Sequence, residues 1–235
     1  MIITPRLSTT VNALLIGNTV PFGPQGRSSA IHKQPQAGPL SITALGFEKD
    51  EQADTRIHGG PEKAIHHFPA EHYTTLKQHI QILPDTLGGF GENISTTGIT
   101  ERDICLGDIF RLGTALVQVS QGRQPCWKLN VRFDQPQMAR LIQSTGLTGW
   151  YYRVLETGEA SAGDSLELIE RTCPAAELLR IQHILHHPSP SKDALKSLLE
   201  LPVLPDNWRK TLQRRLDTGI KEADTARTQT PNGAT

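Results

Sequence analysis

The stretch ICLGDIFRLGTALVQVSQ, residues 104–121, decides the fold class. It reads as a hairpin, and in its second arm Ala115, Val117 and Val119 alternate with Thr114, Leu116, Gln118 and Ser120. A period of two marks a β-strand with one face buried. The overlapping residues SQGRQPCWKLN, 120–130, begin where that strand ends and set Cys126 between two glutamines and two cations. Thiolate is the reactive and metal-binding form of cysteine, and neighbouring cations favour it. Arg123 and Lys128 lie close in sequence, and Pro125 restrains the backbone just before the sulfur. These neighbours favour an exposed, functional thiol. The competing reading is a cysteine packed as a small hydrophobe, since free Cys is among the most buried residue types.

On either side the β character continues. TTVNALLIGNTVPFG near the start reads as a strand, Leu40 to Ala44 as another, and GWYYRVLETGEASAGDSLELIE, 149–170, as strand, turn and strand. Two short helices interrupt it. One opens near Pro69 with Tyr73, Leu76 and Ile80 behind it; the other follows Pro136, carries Met138, Leu141 and Ile142 on one face, and exits at Gly146. From Thr172 the pattern changes to three helices marked by Leu178, Ile181 and Leu185, by Leu195, Leu198 and Leu199, and by Trp208, Leu212 and Leu216. Each is too short to be stable alone and must pack on its neighbours or on the β domain. The tail after Leu216 has almost nothing to bury and is expected to be disordered. The expected organisation is a mainly β domain with a few helices at 11–171, a three-helix segment at 172–216 and a disordered tail at 217–235.

Composition removes several function classes. The 24 basic and 24 acidic residues cancel, so no broad positive field exists to hold a nucleic-acid backbone. No run of about 18 apolar residues is present for a membrane helix, and no secretory leader is expected. Cys105, Cys126 and Cys173 are too few and too far apart for a disulfide framework, so a cytoplasmic setting with reduced thiols is expected.

Two glycine-rich loops precede the cysteine. In HGGPEKAIHH, 58–67, successive glycines can turn N–H groups toward an anion that Arg56 and Lys63 would neutralise, although a glycine pair is more often simply a turn. In GGFGENI, 88–94, Glu92 and Asn93 can hydrogen-bond a heterocycle. His58, His66, His67 and His72 raise a zinc hypothesis without matching zinc-ligand spacing. Cys126 with His58, His66 or His67 could instead form the nucleophile and base of a hydrolase.

Taken in order, DEQADTRIHGGPEKAIHHFPAEHY, GFGENISTTGITERDICLGDIFRLG and VQVSQGRQPCWKLN resemble the MOSC domain, the molybdenum-cofactor sulfurase C-terminal type. The bacterial YiiM-like branch, with a small three-helix segment after its β domain, is the nearest match, over about Val11 to Leu216. The resemblance implies a MOSC-type β-barrel carrying the molybdenum cofactor, molybdopterin, with Cys126 as metal ligand and catalytic residue. A soft thiolate suits such a centre. It further implies that His58, Gly59, Gly60 and Lys63 hold the pterin or its phosphate, with Gly91, Glu92 and Asn93 from the second loop and Gln121, Arg123 and Gln124 around the cysteine. The branch usually has proline where this chain has Gly122, which implies a looser cysteine loop. The implied activity is reduction of N-hydroxylated compounds, hydroxylamino purines among them. Electrons would come from a separate flavoprotein reductase, because no flavin, nicotinamide or iron–sulfur motif is evident. The alternative is a non-redox sulfur carrier or cofactor-binding module using a Cys126 persulfide.

Overall fold

A computed structural model describes residues 7–24, 26–55, 59–78, 80 and 86–231. Seven strands close into a barrel: β1 (Ser8–Ile16), β2 (Ile65–His67), β3 (Ile94–Thr96), β4 (Ile109–Leu112), β5 (Ala115–Gly122), β6 (Trp150–Glu156) and β7 (Ser165–Glu170). Their order is β7-β4-β5-β6-β2-β3-β1, and Ser8, Thr9 and Thr10 of β1 pair back onto β7. Closure removes the exposed edges that an open sheet would present. All these pairings are antiparallel except β2 with β3, where His67 faces Ile94.

The hairpin read from sequence is β4 and β5. Ala115, Val117 and Val119 point into the barrel and are buried, whereas Leu116 and Gln118 are half-buried. They pack with Phe110, Trp150, Tyr152 and Leu166. The pairing of β5 with β6 slips by one residue: Val119 faces Tyr152 but Gln121 faces Tyr151. Ser120 is thus the extra residue of a β-bulge, and its hydroxyl donates to the Glu62 carbonyl at 2.6 Å. Bulges at a barrel rim bend the strand and re-aim the chain beyond it. In this barrel the re-aimed segment is the Cys126 loop.

Outside the barrel, α1 (Ala70–Lys77), α2 (Lys128–Arg132) and α3 (Met138–Thr145) share a second apolar cluster with Phe68, Phe90, Trp127 and Phe133. The Phe68 and Phe90 rings stack at 4.2 Å, which sets the 88–93 loop against β2. Helix α3 stops at Gly146, as expected. Helices α4 (Leu178–His186), α5 (Lys192–Leu199) and α6 (Asp206–Thr218) bury Leu178, Ile181, Leu195, Leu198, Trp208 and Leu212 in a cluster continuous with the barrel interior.

The expectation for the tail concerned its composition, and the structure shows where its described part lies. Its described part, to Pro231, lies along the molecule, with a short helix α7 (Thr225–Thr228) and a buried Thr228. This segment contacts the rest of the molecule through hydrogen bonds more than through apolar burial. Lys221 Nζ donates to the His186 carbonyl at 2.8 Å, Gln143 Nε2 to Asp224 Oδ2 at 3.1 Å, and Asn130 Nδ2 to the Thr228 carbonyl at 2.8 Å.

Candidate functional site

The barrel rim gathers three loops around Cys126. One partly open cavity, of about 80 Å³, has Cys126 at its wall together with Lys33, Lys63, Arg123 and Lys128. A second, of about 300 Å³, shares Cys126, Lys63 and Tyr151 with the first. The sulfur therefore stands where two cavities meet. Cys126 itself is 7% exposed, so the expectation of an exposed thiol is corrected: it is buried at the wall of two partly open cavities.

Several positions follow from local structure. Gly60 adopts a φ of 83°, which only glycine takes without strain, and this turns the chain into a short 3₁₀ helix at Pro61–Lys63 that presents Lys63 to both cavities. Glu101 Oε1 accepts the N–H groups of Thr148 (2.9 Å) and Gly149 (2.6 Å), and the Gly149 carbonyl in turn accepts the Arg123 N–H at 3.0 Å. Arg123 is thereby fixed at the start of the cysteine loop. Its side chain is 5% exposed; Nη2 donates weakly to the Phe90 carbonyl at 3.4 Å, and Nη1 is buried without a partner.

The lining of the first cavity sets four cations, Lys33, Lys63, Arg123 and Lys128, against the two carboxylates of Asp50 and Glu51. Burial lowers the pKa of Lys63 and of Lys128, and in each case the Cys126 thiol pulls the other way. Lys33 is also lowered by burial, opposed by its ion pair with Asp50, whose Oδ2 accepts from Asn93 Nδ2 at 2.8 Å. Burial, then the Arg123 charge, holds His66 well below its ordinary value, so the ring is neutral. Its Nε2 is buried and unpartnered. Burial also raises Tyr151, opposed by Arg123, keeping the phenol protonated.

Of the residues singled out from sequence, Lys63, Gly91, Asn93 and Arg123 line the first cavity with Cys126, and Gln121 and Gln124 line the second. Gly59 packs against Gln52 beside the first cavity. His58, with Arg56, lies outside the described residues. Glu92 lies apart from both cavities. It is fully buried, and its carboxylate accepts the N–H groups of Gly88 (2.6 Å) and Phe90 (3.0 Å) and the Tyr73 hydroxyl (2.6 Å). It shapes its own loop and lines neither cavity. Gly122 also differs from expectation: it is paired with Trp150 inside β5, and a Cβ there would lie 2.3 Å from Gln182 Nε2 of α4.

Among the described residues, which do not include His58, the zinc and hydrolase readings find no supporting geometry. His67 points into the barrel, with ring nitrogens on Tyr152 Oη (3.1 Å) and Thr96 Oγ1 (2.9 Å); His72 pairs with Glu101 at 2.7 Å. Among the described residues no three His, Cys, Asp or Glu side chains are placed to hold a metal ion. Neither ring nitrogen of His67, nor His66 Nε2, is hydrogen-bonded to Cys126. Lys33, Tyr151, Trp127 and Arg227 are site residues that sequence reasoning misses; their types carry no signal until the fold brings them to the cavities.

Comparison with known proteins gives a consistent result. The MOSC domain family matches residues 54–167, and the YiiM-like, 3-alpha helix domain matches 178–219. Protein YiiM of Escherichia coli is 41% identical over 198 residues, covering 83% of this chain and 88% of that one. A protein of Gibberella moniliformis named Reductase is 37% identical over 179 residues, covering 75% of this chain but only 32% of the fungal one. The crystal structure of YiiM from Geobacillus stearothermophilus superposes with a TM-score of 0.75 at 36% identity, covering 89% of this chain and all of that one.

Proposed function

The chain belongs to the MOSC-domain family in its YiiM-like branch, and from that premise we propose that it is a molybdenum-cofactor-dependent reductase of N-hydroxylated compounds such as hydroxylamino purines. MOSC domains are associated with molybdenum-cofactor binding, and the residues present fit that group. The observation that carries the reading is a single buried thiol at the junction of two cavities, with four cationic side chains around the first. Arg123 Nη1 and His66 Nε2 are buried without partners, and both residues line this cavity.

In this reading Cys126 is the molybdenum ligand. Arg123, Lys33 and Lys63 would hold the anionic end of the pterin cofactor, and Gly91 and Asn93 its ring. Bound there, the cofactor supplies two-electron chemistry with oxygen-atom transfer. The overall reaction takes R–NHOH, two electrons and two protons to R–NH2 and water. Tyr151, which burial keeps protonated, and Lys63, whose proton burial loosens, border both cavities and can deliver protons to the departing hydroxyl. The electrons would come from a separate flavoprotein reductase in the cytoplasm; the fungal relative named Reductase supports reductive chemistry.

Metal analysis decides the matter. Protein from a host that makes the cofactor should carry about one molybdenum and one pterin per chain. Cys126→Ala should lose most of both. Equally low contents in both proteins would overturn the proposal. Loaded wild-type protein that consumes no hydroxylamine substrate with a reductant, yet releases sulfide on thiol treatment, would favour the persulfide carrier.

A further inference from the structure

The second cavity has a wall that the family match does not cover. The matched helical domain ends at residue 219, yet Ala226 and Arg227 line this cavity opposite Lys63 and Tyr151. Arg227 also grips the cysteine loop on both sides of the sulfur. Its guanidinium donates to the Pro125 carbonyl, and its own carbonyl accepts the Trp127 N–H at 2.7 Å. Its other donor, Nη2, is set by Gln143 Oε1 (2.6 Å) and Asp224 Oδ1 (2.8 Å). Asp224 is thus bonded on one side to α3 and on the other to Arg227, and it is held below the usual carboxylate range. Burial would raise it, but the Gln143 hydrogen bond and Arg227 together outweigh that. Farther back, Glu222 accepts from buried Arg215 of α6 at 2.5 Å.

We infer that residues 220–230 form a strap that positions the Cys126 loop and walls a substrate chamber. Arg227 is its positioning residue, and Ala226 limits the size of the molecule that enters. The assignment of the chamber rests on the function proposed above; the hold on the cysteine loop does not. Between them, residues 125 and 127 have their backbone groups bonded to one tail residue, so a shift of the tail moves the sulfur. The aromatic residues Trp127 and Tyr151 and the amides of Gln121 and Gln124 in the chamber lining suit a planar nitrogen heterocycle.

The test uses full-length protein and two arms. In the first, cofactor-free protein is alkylated with iodoacetamide and followed by peptide mass spectrometry, with half-buried Cys173 as internal reference. Arg227→Ala should speed Cys126 alkylation about ten-fold relative to Cys173, Arg227→Lys should recover part of the wild-type rate, and Ala226→Trp should slow it about three-fold. In the second, cofactor-loaded Ala226→Trp should raise KM for a hydroxylamino purine about five-fold and KM for the smaller N-hydroxyurea less than about two-fold. Wild-type alkylation of Cys126 in Arg227→Ala overturns the strap. If that variant does not fold, wild-type alkylation and wild-type KM values in Ala226→Trp do so. Because the first arm needs no molybdenum, failure of the proposed activity leaves it decisive.

Discussion

Two residues of opposite charge show how little residue type alone says about role. The family resemblance implies that Glu92 and Arg123 both hold a bound cofactor. Glu92 instead commits its carboxylate to the N–H groups of Gly88 and Phe90 and the Tyr73 hydroxyl, while Arg123 keeps Nη1 unpartnered. Removing a buried acceptor strands its donors, at a cost of about 1–3 kcal/mol. Glu92→Gln should therefore lower stability by that amount in urea denaturation. Arg123→Met takes out a buried, under-satisfied cation and should leave stability unchanged or slightly raised, yet reduce molybdopterin retention at least about ten-fold. Equal losses of stability in the two variants would refute the distinction.

At the scale of elements, Gly122 and Gln182 form a matched pair between β5 and α4. Gln182 Nε2 donates to Thr148 Oγ1 at 2.7 Å and occupies the space that a side chain at 122 would need. A looser loop, expected from glycine in place of the usual proline, is not the outcome of the strand pairing; the glycine admits the helix. Gly122→Ala should cost about 1–3 kcal/mol by overpacking. In combination with Gln182→Ala much of that cost should vanish, and a double-mutant cycle by urea denaturation reads the coupling directly. Additive losses would mean that the two residues do not share the space. The bulge at Ser120 belongs to this scale as well. Period-two alternation announces the strand, but a bulge changes register without changing composition, so the sequence pattern does not reveal it.

For the molecule as a whole, the polar interior sets the response to pH. Burial, then the neighbouring His72, lowers the His67 pKa to about 3 from the ordinary 6.5. Between those values the unfolded chain binds the extra proton. The contribution is therefore fully present above about pH 6.5 and is lost as pH falls toward 3, by up to ~1.4 kcal/mol per pH unit. Wild type should lose about 2 kcal/mol more than His67→Gln between pH 7 and pH 5, read by urea denaturation at each pH. Equal losses would show that His67 is not the titrating group.

What the sequence determined by itself was the class of fold and the place to look. Alternation at 115–119, the leucine spacing after Thr172 and the ordered motifs converging on Cys126 are local patterns, and hydrophobic burial enforces them wherever the chain goes. Tertiary structure alone decided which polar groups face the cavities. It sent Glu92 into its own loop, turned His67 into the barrel, brought Lys33 and Tyr151 to the site and laid the tail against the cysteine loop. Those outcomes depend on hydrogen bonds between residues as much as 102 positions apart, such as Arg227 with Pro125. A side chain's type fixes what it can donate or accept, but only the closed barrel fixes which partner is within reach.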